Sequence, residues 1–183
     1  MSKKKTWVIV LAILFVGYLA FMGIYSRNLS KDMTKLIEKA ISKRYDEKKQ
    51  IDIFTTYEIY DNVVVGFTLA GKEQTKSGYA VLEKLDHSRY KLKKVNRFED
   101  LTKRALDIYI DYISVFDEKH ELESYLLVIG MNAELSKVKL TINDGETINK
   151  EVNSNPSLTL LELPNEPYEG EYLFYDKSGN LIE

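Results

Sequence analysis

The chain reads as an α+β protein with one N-terminal transmembrane helix, one amphipathic helix and a mainly antiparallel β domain. Three observations predict this. An uncharged apolar run fills residues 7–25. Apolar residues at helical spacing follow over 27–48. Beyond residue 49 apolar and polar residues alternate, and turn residues interrupt them at intervals typical of a meander, sandwich or small barrel.

Residues 1–5 form a short basic tail carrying Lys3, Lys4 and Lys5, and 6–26 form the anchor. The apolar run of 19 residues spans about 28 Å as a helix, close to a bilayer's hydrocarbon thickness. Trp7 and Tyr25 bracket it, where amphipathic rings favour the headgroup level. A cleaved signal peptide has a shorter core and small residues before the cut. Here, cutting after Ala20 or Gly23 would put Tyr18 or Phe21 at the outer position, so a retained anchor is expected. Arg27, Lys31, Lys35 and Lys39 balance the N-terminal lysines, so flank charge does not set orientation. A long domain crosses largely regardless of charge, which favours a tail inside and a C-terminal domain outside. Gly17, Ala20 and Gly23 form no GxxxG pattern, and the span carries no specific pairing signal.

The first 26 residues hold three Lys and no Asp or Glu. The rest therefore carries 23 basic and 28 acidic residues, a formal charge of −5. That balance argues against nucleic-acid binding. No cysteine is present, so neither disulfides nor lipoprotein processing contribute.

A juxtamembrane helix is expected over 27–48, with its stripe at Leu29, Met33, Leu36, Ile37, Ala40, Ile41 and Tyr45. Asn28 or Ser30 can cap it, and Asp32 suits the positive end of the dipole. Lys31, Lys35, Lys39 and Lys43 occupy the opposite face. That helix can lie on anionic lipid or pack its stripe on the following sheet; we expect packing on the sheet.

Residues 49–96 form a β-meander. The first strand alternates from Ile51 to Ile59, and Asp61-Asn62 turns it into the apolar run 63–69. Residues 71–75 and Asp86-His87-Ser88 supply two more turns, with strands around Tyr79 and Leu92. Residues 97–183 form a second β-rich half packed on the first. A polar connector at 97–104 opens it, and 106–116 reads as a strand because β-branched and aromatic residues dominate. Strands follow at 125–129, 138–142, 158–163 and 172–175, with a short terminal one at 181–182. Asp144-Gly145 marks a tight hairpin.

Two strings, Gly78-Tyr79-Ala80-Val81-Leu82-Glu83-Lys84 and Phe174-Tyr175-Asp176-Lys177-Ser178-Gly179-Asn180, resemble segments of small membrane-anchored extracytoplasmic proteins of Gram-positive bacteria. The resemblance implies a domain outside the membrane. It supplies no site residues, because those proteins have no assigned function.

Chemical motifs are sparse. His87 and His120 fall in polar turns without a companion at metal-ligand spacing. No nucleophile elbow, phosphate loop or dinucleotide fingerprint occurs. Asp144-Gly145-Glu146 lacks the alternating ligands of a calcium loop. Asp107 and Asp111 read as solvated or lysine-paired carboxylates. No catalytic residue, metal ligand or cofactor is assigned. The chain holds 13 tyrosines, and Tyr109, Tyr112, Tyr168 and Tyr172 are candidates for an interaction surface, since a tyrosine ring buries while its hydroxyl stays bonded. The expected partners are the bilayer and another membrane or envelope protein. The function expected is a tethered, non-catalytic binding or accessory module at the cell envelope. A carboxylate-based hydrolase on envelope polymers and a cytoplasmic-facing regulatory subunit are the alternatives.

Overall fold

The computed structural model describes residues 13–15, 29–85, 89–96, 98–165 and 168–182. Of the expected anchor only residues 13–15 are among them, in helical conformation. Lys3, Lys4, Lys5, Trp7 and Tyr25 lie outside the described residues, as does the Asp86-His87-Ser88 turn. Among the described residues no helix is long and apolar enough to cross a membrane.

The amphipathic helix α1 spans Met33–Tyr45, shorter than its apolar pattern suggested. Asn28 lies outside the described residues, and Ser30 does not cap it. Leu29–Ser30 is instead a short strand, β1. Asp32 is the N-cap, its carboxylate accepting the Lys35 N–H at 3.1 Å. Ser30 Oγ accepts the Asp32 N–H and fixes the approach. Asp46 adopts left-handed backbone angles (φ 52°) and ends the helix. Leu36, Ile37 and Ile41 are buried against the sheet, so the stripe is used in packing.

Strands β2 (Ile51–Ile59), β3 (Asn62–Leu69), β4 (Lys76–Leu85) and β5 (Arg89–Val95) form the expected meander. Two short strands enlarge it to a six-stranded sheet ordered β1-β5-β4-β3-β2, with β6 (Glu99–Asp100) on β4. The β2–β3 turn falls one residue earlier than expected. Ile59 pairs with Asn62, so Tyr60 and Asp61 make the turn, and Tyr60 takes φ 51°. A bulge between Ile53 and Thr55 also breaks the alternation of β2. Ile51 and Ile53 face the helix, whereas Phe54 and Ile59 face the opposite side. One inserted residue flips every side chain after it.

The middle sheet contains β7 (Ile108–Phe116), β8 (Leu122–Gly130) and β11 (Ser157–Glu162), ordered β11-β8-β7. The outer sheet contains β9 (Lys137–Ile142), β10 (Glu146–Glu151) and β12 (Gly170–Tyr175), ordered β10-β9-β12. Among the described residues every strand pairing is antiparallel. β8 and β12 begin earlier than their apolar runs, because Leu122-Glu123-Ser124 and Gly170-Glu171 continue the ladders. The expected terminal strand is a single bridge from Tyr175 to Leu181.

Three apolar cores stack these parts into four layers. Val63, Val65, Phe67, Ala80 and Leu82 of the first sheet meet α1. Val64, Tyr79 and Val81 on its other face meet Ile113, Leu127, Ile129 and Leu158 of the middle sheet. Leu126, Val128 and Leu161 then meet Val138, Leu140, Ile142 and Phe174 of the outer sheet. Strands β3, β4 and β8 are buried on both faces and read as continuous apolar runs. β9 covers the core with one face only and alternates.

Candidate functional site

β7 is the terminal strand of the middle sheet, so one of its edges has no strand beside it. A cleft of about 660 Å³ runs along that edge. Residues 112–118 all line it. Consecutive residues line a cleft only when it follows the edge of a strand, since a face would present alternate ones. Val81 and Glu83 of β4 and Lys93 and Lys94 of β5 form the opposite wall. Asp61 and Asn62 close one end together with Asp117, Glu118 and His120.

The pairing register fixes which backbone groups point into this cleft. Asp117 N–H donates to Glu121 C=O, and Met131 N–H donates to Asp107 C=O. Odd-numbered residues of β7 thus bond inward to β8, and Tyr112, Ser114 and Phe116 turn their N–H and C=O outward. Asp111 Oδ1 accepts the Tyr112 N–H at 2.8 Å and caps the edge there. The Tyr112 C=O and the groups of Ser114 and Phe116 remain open. Phe116 is 61% exposed and Leu122, directly opposite it on β8, is 53% exposed.

Asp111 also anchors a polar cluster between the first and middle sheets. Its Oδ2 accepts the hydroxyl of fully buried Tyr79 at 2.6 Å, that of Tyr109 at 3.1 Å and an Asn96 N–H at 3.2 Å. Lys94 Nζ lies 3.7 Å from the same oxygen and donates to Tyr79 Oη at 2.7 Å. Burial pushes the Asp111 pKa up, but the Tyr79 hydroxyl, the Tyr112 N–H and the Lys94 charge outweigh it and hold the carboxyl below its usual value. Burial and then the Asp111 contact push the Tyr79 phenol far up. Both groups keep their neutral-pH states, so the cluster is a fixed hydrogen-bonded strut.

A second strut closes the other end. Glu123 accepts the Tyr60 hydroxyl on Oε1 and the Tyr125 hydroxyl on Oε2, each at 2.7 Å. The Glu123 bond raises Tyr60 to about 12, and burial followed by the same carboxylate raises Tyr125. The β2–β3 tip is thereby tied to β8. In the cleft wall, Glu83 Oε2 lies 3.0 Å from Lys93 Nζ and 3.3 Å from Lys91 Nζ. These are ion pairs by distance, with Oε2 misaligned for a hydrogen bond. Burial raises Glu83, and the two lysines outweigh it and lower it.

The four tyrosines singled out in the sequence do not converge. Tyr109 is half-buried and spends its hydroxyl on the Asp111 cluster, where it also accepts an Asn96 N–H. Tyr112 is exposed and lines the cleft. Tyr168 packs half-buried on the outer core, and Tyr172 stands exposed beside Phe174. His120 lines the acidic end of the cleft, while His87 lies outside the described residues. Asp111 pairs with Lys94 as expected, but four uncharged donors join it. Ser114, Phe116, Lys93 and Lys94 were not singled out in the sequence. Among the described residues no group of three His, Asp or Glu is placed to hold a metal.

Compared with protein-family models, curated proteins and solved structures, the chain shows no significant match.

Proposed function

We propose that the chain is a membrane-tethered binding or accessory module without catalytic activity, single-pass, with its β domain outside the cell membrane and its cleft as the contact site. The cleft along the open edge of β7 is the observation that carries this reading. Its walls offer apolar surface, backbone hydrogen-bonding groups and opposite charges at its two ends, which suits recognition. Despite partial burial, the Glu83 carboxyl in the cleft wall is held below its usual value by Lys93 and Lys91. A general acid requires the opposite shift. The apolar run at 7–25 supports the tether.

The following experiments test the reading. A photo-crosslinking residue at Tyr112 or Phe116 in intact cells should capture one stoichiometric envelope protein, and the same residue at Lys139 on the outer sheet should not. Release of soluble fragments from envelope polymers by the purified chain, abolished by Glu83→Gln, would replace the module with an enzyme. Protease added to intact protoplasts should destroy the β domain. Its protection would reverse the orientation, and a mature N-terminus near residue 24 would remove the anchor.

A further inference from the structure

We propose that the open edge of β7 takes up an extended polypeptide segment of another protein as an added antiparallel strand, basic where it meets Asp117 and Glu118 and acidic where it meets Lys94. The inference rests on the binding-module reading and names the chemistry of its partner.

Three observations carry it. Tyr112, Ser114 and Phe116 direct their backbone groups out of the sheet, and Asp111 caps the Tyr112 N–H, leaving the groups of Ser114 and Phe116 for a partner strand. An exposed strand edge is a template for pairing with another chain. The wall above the edge sets the size of the occupant. β4 and β5 face the cleft through Val81, Glu83, Lys93 and Lys94, and so overhang β7. An added strand sits about 4.8 Å from its neighbour in the plane of the sheet. A single extended chain fits beneath that overhang. A second copy joined edge to edge through antiparallel β7 strands would be related by a two-fold axis normal to the sheet. Its own overhang would then fall on the same side and collide with the first.

Charge supplies the polarity. Lys93 and Lys94, ion-paired with Glu83 and Asp111 yet with side chains 47% and 48% exposed, mark the end where β7 leaves Asp111. Asp61, Asp117 and Glu118 mark the end where β7 enters its turn. An antiparallel guest therefore starts basic and finishes acidic. Antiparallel pairing is also slightly stronger per residue. The guest's side chains alternate between Val81 under the overhang and the exposed rings of Tyr112 and Phe116.

The test uses the isotope-labelled full-length chain in detergent micelles and the synthetic peptide Lys-Val-Thr-Val-Thr-Val-Glu. Saturating peptide should slow amide exchange at Ser114 and Phe116 at least tenfold and leave Tyr112, already capped, unchanged. Ser114→Pro removes one outward donor without touching the inward ladder to β8, a position where an edge strand tolerates proline. It should weaken peptide binding at least tenfold while the thermal unfolding midpoint holds. The reversed peptide, Glu-Val-Thr-Val-Thr-Val-Lys, should bind at least tenfold more weakly. Exchange protection elsewhere than β7, undiminished binding by a folded Ser114→Pro, or no binding at millimolar peptide each overturns strand addition. Equal affinity for the reversed peptide overturns the polarity. Protection of Ser114 that grows with protein concentration alone would make a second copy the occupant. If Ser114→Pro binds the peptide normally while crosslinks from Tyr112 persist, strand addition falls and the module stands; if no cleft position crosslinks in cells although the peptide binds, the module reading falls instead.

Discussion

The middle and outer sheets have the same size and the same antiparallel pairing, yet they treat their residues in opposite ways. In β8, residues 126–130 are all buried, because the first sheet covers one face and the outer sheet the other. In β9 burial alternates: Val138, Leu140 and Ile142 point inward, while Lys137, Lys139 and Thr141 are only partly covered. The difference teaches where function has room. The outer sheet spends one face on solvent and both edges of β9 on partners. The middle sheet gives both faces of β8 to cores, and the outer edge of its terminal strand β7 lines the cleft. Backbone hydrogen-bonding groups at the β7 edge are left over, together with the exposed rings of Tyr112 and Phe116.

The sharpest way to break this comparison is to cut into the doubly covered strand. Leu127 is fully buried between the first and middle sheets. Leu127→Ala should cost about 3–5 kcal/mol, read by urea unfolding of the full chain in micelles, because neither packed layer can collapse into the void. A loss under about 1 kcal/mol would mean the two sheets do not share a core.

Next in size is the strut between those sheets. Asp111→Asn should cost roughly 1–2 kcal/mol at neutral pH by weakening charge-assisted bonds to Tyr79 and Lys94. The sign with pH follows from the lowered carboxyl. A carboxylate held below its unfolded value stabilises the fold above that value. That stability is lost as pH falls through the folded value. Acid titration of stability should therefore be shallower in Asp111→Asn, and identical curves would remove the strut from the account.

A comparable loss is expected on the outer sheet from backbone strain alone. Gly145 lies between β9 and β10 with φ +127°, and a Cβ built there meets nothing within 4 Å. Gly145→Val should cost about 1–2 kcal/mol, since a β-branched residue resists positive φ. Unchanged stability would show that the hairpin relaxes to another turn. The smallest effect belongs to the solvent face of β9. Lys139→Thr should change stability by less than about 0.5 kcal/mol, and a larger loss would mean that face is covered.

The element plan was largely legible. Helical spacing at Leu36, Ile37 and Ile41 marked the packed face of α1, and β-branched enrichment marked β7 as a strand. Boundaries were less so. A pattern of apolar residues cannot tell that Leu29-Ser30 extends a sheet by backbone bonds to Lys91 and Tyr90. Nor does alternation in β2 reveal the bulge at Ile53/Thr55. The cleft was the least legible part. Tyr112 stood out as an exposed aromatic, but Ser114 and Phe116 matter through backbone groups that every residue type carries.

Sequence by itself determined the local terms: the apolar run at 7–25, the stripe of α1, the Asp-Gly hairpin and the period of two in the strands, all of which depend on neighbours a few residues apart. The tertiary structure alone decided which sheet lies in the middle, which edge of β7 stays open and which distant donors meet Asp111. Tyr79 and Lys94 reach that carboxylate from 32 and 17 positions away. Such meetings depend on sheet order and register, quantities that residue spacing does not encode.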